Sequence, residues 1–214
     1  MYLVLLCALG LVFGSFLGAW TWRSPRGIKI SSGRSVCANC RKPLRWHENV
    51  PLVSYIVLGA RCKRCRRKIS SRYPLIEFST LILFILAAVF IDKAAVNVPL
   101  VGSLGLIALP FLLLVLLLFW GIFIVDLERQ IIPDEMVFIG MAATLSALLF
   151  VGENFYISLL SGLAAGLFLL IINLATRGRG MGMGDVKLAV FAGLILGPQK
   201  ASVWLFLAFL TGAI

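Results

Sequence analysis

Long apolar stretches constrain this chain more than any other feature of its sequence. About 20 residues of apolar helix cross the hydrocarbon core of a bilayer, and several stretches here reach that length. Of the 214 residues, 61% are hydrophobic and 14% are charged, which is more apolar surface than a soluble domain of this size can bury. The stretches cover residues 3–22, 73–91, 100–125, 136–151, 155–175, 186–197 and 199–214. No strand-like alternation is present, so we expect an all-α polytopic membrane protein with about seven transmembrane helices.

The first and last stretches raise the question of processed or missing ends. A signal peptide begins with basic residues and ends at small ones, whereas Trp20, Trp22 and Arg23 stand at the end of the first stretch. We therefore expect a retained first helix. The chain stops at Ile214 inside an apolar run, which suggests a truncated end with an eighth helix missing.

Basic residues concentrate between the first two stretches. Residues 23–72 contain 14 of the 20 Lys and Arg residues and a single acid, Glu48. The positive-inside rule places this segment in the cytoplasm and the N-terminus outside. Alternation then places the loops near residues 126–134 and 176–185 on the cytosolic side as well. The net charge of +11 indicates a basic surface against anionic membrane lipids, and no nucleic-acid partner is expected.

The basic segment, called the cysteine loop below (residues 23–72), contains two Cys-x-x-Cys pairs. These are Cys37 with Cys40 and Cys62 with Cys65. Four thiolates so spaced suit a tetrahedral Zn²⁺, and two such pairs are typical of a zinc ribbon. The loop has few aliphatic residues, so a metal would stabilise it. Another metal or cluster and thiol–disulfide chemistry are the alternatives, the latter disfavoured by a cytosolic location.

Several other polar residues have an ordinary explanation. His47 is the only histidine and is expected to be a solvated loop residue, which disfavours Ser–His or Cys–His catalysis. Cys7 lies in the first helix and is expected to pack there. Glu77 lies one turn inside the second stretch, where either snorkelling to the surface or a role in the cysteine loop explains it.

Two acids differ from the others because they stand at the ends of apolar runs. Asp126 closes the run 100–125, and Asp185 opens the run that begins at residue 186. Each alone could be a helix-end charge, and Asp185 could be a plain N-cap. A carboxylate at this depth is nevertheless a candidate functional group. If the two converge, they share one proton and supply both a base to activate water and an acid. The pair predicts aspartic-protease chemistry.

Glycines precede the second of these acids. Gly180, Gly182 and Gly184 remove side-chain bulk and permit positive φ, which would let an extended substrate backbone lie beside Asp185. A flexible linker also explains the glycines, but it does not explain the acid. The spacing differs from the phosphate-binding pattern G-x-G-x-x-G.

These motifs resemble those of the prepilin peptidases, the GxGD-type intramembrane aspartyl proteases of type IV pilus and type II secretion systems. Residues 182–185 match the GxGD motif, and Val186 and Lys187 follow as in the family. Asp126, with Pro133 and Asp134, matches the D-x₆-P-D context of the first catalytic aspartate.

The resemblance extends to the N-terminal part of the chain. Residues 14–17, the cysteine loop with Gly59, and the segment 72–77 match the family pattern. The departures are Gly18, His47 and Ala60, where Asn, Tyr and Gly are usual.

The resemblance implies that this is an enzyme of the bacterial inner membrane. Its expected activity is cleavage of the leader peptide of type IV prepilins and pseudopilins at the cytosolic face, after a Gly. Asp126 and Asp185 would be catalytic. Residues expected to position the loop or the substrate are Gly182, Gly184, Lys187 and Pro133.

The resemblance also implies N-methylation of the new N-terminal residue with S-adenosylmethionine, and Glu77 and Gly59 are candidates for that reaction. We expect three parts: a first helix (1–22), a zinc-binding, methyltransferase-associated domain (23–72) and a protease domain (73–214). The alternative functions are a non-catalytic membrane scaffold whose zinc loop recruits a partner and a membrane thiol oxidoreductase.

Overall fold

A computed structural model describes residues 2–30, 35–37, 39–152 and 155–212. Within these ranges the protein is all-helical, and the only other regular pairing consists of two isolated antiparallel bridges, Val36 with Pro43 and Arg61 with Lys68. The helices are α1 (Tyr2–Arg23), α2 (Val53–Val57), α3 (Arg72–Val89), α4 (Ile91–Asn97), α5 (Pro99–Ser103), α6 (Ala108–Arg129), α7 (Asp134–Val151), α8 (Phe155–Ala175) and α9 (Met183–Gly212). Short 3₁₀ turns lie at Ser24–Arg26, Trp46–Glu48 and Gly105–Ile107.

Six of these helices, α1, α3, α6, α7, α8 and α9, are long and apolar enough to cross a membrane. The expected all-α polytopic class is therefore confirmed. Six are counted by length and composition, against about seven predicted, because the last two apolar runs are joined in one helical element, α9. That element is interrupted at Gly197, which has φ 71° and ψ 175°, just before Pro198.

The two halves of α9 lie against the same part of α8. Val186, before the interruption, belongs to an apolar cluster with Leu169 of α8, and Trp204, after it, packs on that cluster. The rings of Phe168 and Phe209 are 6.1 Å apart. The chain therefore turns back at Gly197, and the two predicted apolar runs correspond to the two halves of α9.

The chain forms two compact units. The first comprises Met1–Val89 and Phe119–Arg129, and the second comprises Phe90–Leu118 and Gln130–Ile214. The last part of α6, which carries Asp126, thus belongs to the first unit, whereas α9, which carries Asp185, belongs to the second.

Glycines bring α1 and α3 of the first unit close together. A Cβ at Gly14 would lie 2.7 Å from the Cα of Glu77, and one at Gly10 would lie 2.9 Å from the Cα of Leu81. Small residues four apart allow such close backbone contact between membrane helices. This contact places Glu77 between the two helices and directly below the cysteine loop.

In the second unit, α7 and α8 both pack against the first half of α9. A Cβ at Gly140 of α7 would collide with the ring of Phe191, which is fully buried. A Cβ at Gly193 would lie 2.8 Å from the Cα of Gly162 of α8. These contacts hold the beginning of α9, and with it Asp185, against its neighbours.

Candidate functional site

The four cysteines of the cysteine loop form one cluster, as the spacing predicts. Their sulfur atoms all lie within 4.8 Å of one another, and the Sγ atoms of Cys37 and Cys65 are 4.0 Å apart. In a tetrahedral ZnS₄ site with Zn–S distances of about 2.3 Å, the sulfurs are separated by roughly 3.8 Å. The donor set and its spacing therefore fit a tetrahedral metal ion.

The two halves of the cluster have the same backbone geometry. The N–H of Arg41 donates to the carbonyl of Cys37 at 2.9 Å, and the N–H of Arg66 donates to that of Cys62 at 2.9 Å. Both arginines are left-handed, with φ of 54° and 57°. The predicted pair of Cys-x-x-Cys motifs thus extends to a repeat of Cys-x-x-Cys-Arg after 25 residues (62 − 37).

One of the thiols is surrounded by hydrogen-bond donors. The Asn39 amide donates to the Sγ of Cys65 at 3.4 Å and is itself held by Arg67, whose Nη1 donates to the Asn39 Oδ1 at 2.8 Å. The Asn39 hydrogen bond and then the backbone N–H of Arg67 lower the pKa of Cys65 to about 6. Cys65 is thus a thiolate at neutral pH, the form that binds a metal.

A cleft of ≈ 500 Å³ lies beside this cluster within the first unit. This volume is in the range of small-molecule sites, about 300–1,000 Å³. Its walls come from the cysteine loop, from α1 and α3, and from the end of α6. The lining includes acidic, aromatic and basic side chains, among them Glu48, Glu77, Trp22, Tyr55, Tyr73 and Arg64.

Glu77 anchors the cysteine loop to α3. Its side chain is buried, at 8% exposure, and its Oε2 accepts the N–H of Leu52 at 2.8 Å. Leu52 has φ 58° and ψ −48°, and the N–H of Val53 donates to the carbonyl of Pro51 at 2.6 Å, which makes a strained γ-turn. Glu77 therefore does not snorkel to the surface.

Gly59 and His47, the other candidates in the cysteine loop, take no part in the hydrogen bond between Glu77 and Leu52. Gly59 has φ 59° and Ala60 has φ 56°, so the two residues reverse the chain after α2. Among the described residues that line the cleft, Leu58 is present but Gly59 is not. His47 is exposed and edge-on to Trp46, in agreement with a solvated position.

Asp185 lies at the start of α9. It is half-buried, and its Oδ2 accepts the N–H of Gly182 at 3.0 Å. An acid at the third helical position commonly reaches back in this way to the residue before the helix. The Oδ1 atom of Asp185 has no hydrogen bond within the described part of the chain, so one carboxylate oxygen remains available for chemistry.

The glycines before Asp185 do not use the positive φ that they permit. In the segment 176–184, called the glycine loop below, the left-handed residues are Arg177, with φ 52°, and Gly178, with φ 74°. Gly180, Gly182 and Gly184 have other conformations. They are instead required by close packing of the loop.

The glycine loop packs against the segment that precedes α7. A Cβ at Gly184 would lie 2.9 Å from the Cβ of Ile132. The Nζ of Lys187 donates to the Oδ1 of Asp134 at 2.7 Å. Pro133 stands just before α7, where its carbonyl accepts backbone N–H groups of the first turn. The second half of the D-x₆-P-D motif therefore contacts the GxGD motif within the second unit.

A buried amide of α8 that was not predicted to have a role holds the glycine loop. Asn173 is 8% exposed, and its Nδ2 donates to the carbonyl of Met181 at 2.6 Å. The hydroxyl oxygen of Thr176 accepts the N–H of Gly180 at 3.2 Å. The available signal was an amide inside an apolar run, where polar residues are rare and have partners.

Asp126 lies in the last turn of α6 with an exposed side chain, next to the fully buried Val125. The convergence of Asp126 with Asp185 stays a prediction, since the two residues belong to different units.

Comparisons with known proteins agree with these motifs. Residues 8–91 match the sequence model described as the Bacterial Peptidase A24 N-terminal domain, and residues 111–214 match that of the Type IV leader peptidase family. A protein of Klebsiella pneumoniae named prepilin leader peptidase/N-methyltransferase is 33% identical over 93% of this chain and 87% of its own length. Proteins of the same name from Bacillus subtilis and Neisseria gonorrhoeae are each 30% identical, over 99% and 98% of this chain and 81% and 79% of their own lengths.

No solved structure matches the chain. The two family matches together cover most of its length, and the relatives align along nearly all of it. The chain therefore belongs to the type IV leader peptidase family.

Proposed function

We propose that this protein is an aspartyl endopeptidase that removes the leader peptide of type IV prepilins or pseudopilins, with Asp126 and Asp185 as its catalytic pair. The observation that carries the proposal is the presence of both complete aspartate motifs in the region that matches the leader peptidase family. The relatives' names supply the substrate class. The contacts of Ile132 with Gly184 and of Asp134 with Lys187 support a common site for the two motifs.

The proposed chemistry needs only the two carboxyl groups and a water molecule. The ionised carboxylate removes a proton from the water, whose oxygen attacks the scissile carbonyl carbon, while the protonated partner gives its proton to the carbonyl oxygen. Collapse of the tetrahedral intermediate breaks the C–N bond, and the leaving amine takes a proton from the pair. The hydrogen bond from Gly182 fixes the orientation of the Asp185 carboxylate for this step.

The proposed site lies at the cytosolic face of the bacterial inner membrane. The positive-inside rule places the cysteine loop, the segment 126–134 and the glycine loop on that side. Cleavage there, after a Gly that precedes the hydrophobic helix of the substrate, leaves that helix in the membrane.

We propose N-methylation of the new N-terminus as a second activity, with S-adenosylmethionine bound in the cleft of the first unit. When bound, this cofactor supplies an electrophilic methyl group. Its size suits the cleft, and a buried carboxylate next to aromatic side chains fits a ligand with hydroxyl groups, an amine and an adenine ring. Glu77 and Glu48 would bind its donors, and Trp22 and Tyr55 would contact the ring.

The zinc ion proposed for the four cysteines has a structural role. All four positions would be protein ligands, with none open to substrate. It would fix the cysteine loop, which forms one wall of the cleft. We therefore propose three parts: a first helix (residues 1–22), a zinc-binding domain for methylation (residues 23–72) and a protease domain (residues 73–214).

A cleavage assay in liposomes tests the proposal. The full chain is reconstituted with a prepilin, with and without S-adenosylmethionine, and mass spectrometry reads leader removal and methylation separately. We expect Asp126→Asn and Asp185→Asn to abolish cleavage while a pre-cleaved pilin is still methylated. Asp92→Asn, which changes an acid in the first turn of α4, is the control and should cleave normally. Native rates in either catalytic variant would contradict the assignment.

A further inference from the structure

Arg72, at the start of α3, connects three helices of the first unit through a single guanidinium group. Its Nη1 donates to the carbonyl of Gly18 at 3.0 Å, and its Nη2 donates to the Oγ1 of Thr21 at 2.7 Å. Its Nε donates to the carboxylate of Glu128. The first two acceptors belong to α1, and the third belongs to the last turn of α6. We call these four residues the Arg72 cluster.

The α1 side of the cluster is rigid. Thr21 is 1% exposed, and its hydroxyl donates to the carbonyl of Leu17 at 2.8 Å, so its oxygen is oriented to accept from Arg72. The planar guanidinium bonds to several acceptors in one fixed geometry, which a lysine cannot reproduce. The side chains of Arg72 and Glu128 are 17% and 37% exposed. This ion pair is therefore less solvated than an ordinary surface pair.

The α6 side of the cluster is close to a proposed catalytic group. Asp126 precedes Glu128 by two residues in the same helix. An α-helix turns about 100° per residue, so the two side chains point roughly 200° apart around the axis. Fixing Glu128 against α1 and α3 therefore fixes the rotation of this helix end and the direction of Asp126.

The helix end needs such a restraint. The helix ends at Arg129, and Gln130 has a left-handed φ of 54°. The last turn of a helix lacks partners for its carbonyl groups and frays easily. Val125 packs in the core, but Asp126, Leu127 and Glu128 are exposed. The ion pair with Arg72 is thus the main side-chain restraint on this turn among the described contacts.

We propose that Arg72 and Glu128 are positioning residues for Asp126: together they set the rotation of the end of α6 and so the direction of the Asp126 carboxylate. The inference rests on the proposed catalytic role of Asp126. Neither residue takes part in the chemistry itself. Arg72 acts through Glu128, and Glu128 acts through the backbone of α6.

The test measures cleavage kinetics of full-length Glu128→Ala and Arg72→Lys in liposomes. Arg129→Ala is the matched control, because it removes a charge from the same turn and has no ion pair in the described structure. A misplacement of about 1 Å at a catalytic group costs about 10²-fold in rate. We expect Glu128→Ala to lower kcat by about 10- to 100-fold with KM within about two-fold of the wild-type value.

Three further readouts separate positioning from general stability. The pH profile of kcat should change in Glu128→Ala but not in Arg129→Ala, because only the former alters the geometry of the aspartate pair. Arg72→Lys should lose less activity than Glu128→Ala. The double variant should lose no more than Glu128→Ala alone, since both changes release the same helix end.

The results for Glu128→Ala and Asp126→Asn together distinguish failure of the positioning inference from failure of the proposed function. A wild-type kcat in Glu128→Ala would overturn the inference. So would a decrease in its cleavage activity that equals the decrease in the amount of folded protein, with an unchanged pH profile of kcat. If that occurs while Asp126→Asn is inactive, the proposed function stands and only the inference fails. If Asp126→Asn cleaves normally, both fail.

Discussion

The two helix ends that carry the proposed aspartates are held by different kinds of interaction. In the first unit, the end of α6 is held by an ion pair between Glu128 and Arg72. In the second unit, the start of α9 is held through its preceding loop, whose backbone accepts the buried amide of Asn173. The first restraint is charged and acts on a side chain, whereas the second is neutral and acts on the main chain.

The difference follows from the local sequence. The glycine loop presents almost no side chains, so only its N–H and carbonyl groups can be bound, and neutral polar groups of α8 do this. The last turn of a helix presents side chains, and its N–H groups are already bonded within the helix, so an ion pair between side chains provides the restraint. The two aspartates should therefore respond differently to substitutions, to metal removal and to salt.

The largest expected effect concerns the cysteine loop of the first unit. Cys62→Ser removes the buried member of the four-thiol cluster, and we expect methylation to fall by about 10²-fold or more, because a structural metal site fails without one ligand. Cleavage of prepilin should persist. Cys7→Ser, which changes a cysteine of α1 outside the cluster, is the matched control. Equal loss of both activities would show that cleavage also depends on the cysteine loop.

Gly184→Val should have a comparable effect on cleavage. Its Cβ would lie 2.9 Å from the Cβ of Ile132, a branched side chain with little freedom, so the glycine loop must move. We expect kcat to fall by about 10²-fold while methylation of a pre-cleaved pilin is unchanged. Ala142→Val, which adds side-chain bulk at an exposed position of α7, is the control. An active Gly184→Val variant would show that the loop tolerates displacement.

Asn173→Ala should have an intermediate effect. It removes the hydrogen bond to the carbonyl of Met181 and leaves that group without its partner, at a cost of about 1–3 kcal/mol. We expect roughly 10-fold lower kcat and faster amide exchange in the glycine loop. Ser146→Ala, which removes an exposed hydroxyl of α7, serves for comparison. Unchanged exchange in the loop would refute the proposed restraint.

Lys187→Gln should have the smallest effect. The ion pair of Lys187 with Asp134 has side-chain exposures of 31% and 55%, and such pairs contribute about 0–1 kcal/mol. We expect at most about a five-fold loss of kcat at low salt, with the difference disappearing near 1 M salt. A large, salt-independent loss would instead indicate direct contact between Lys187 and the substrate.

The spanning helices and the cysteine cluster could be predicted from the sequence, because short-range residue patterns determine them. Apolar runs predict the spanning helices, and the spacing of Cys37, Cys40, Cys62 and Cys65 predicts their cluster, because each depends on residue type and short-range periodicity. The break at Gly197 is also predicted, since the apolar runs 186–197 and 199–214 are already separate, but that both halves of α9 pack against α8 depends on tertiary contacts.

The residues that support the candidate site could not be predicted in the same way. Arg72 and Glu128 are 56 residues apart, and either would pass for a solvated charge at a helix end. Asn173 resembles an ordinary helix-terminal amide until its partner in the loop is known. Long-range polar contacts depend on how the helices pack, and no short-range pattern encodes that.

The central claim, that Asp126 and Asp185 act as one catalytic pair, is tested most directly by the cleavage rates of Asp126→Asn, Asp185→Asn and the double variant in liposomes. Groups that act as a unit are strongly non-additive. We predict that each single variant loses essentially all cleavage and that the double variant is no slower than either. Partial losses that multiply in the double variant, or native cleavage by either single variant, would contradict the claim.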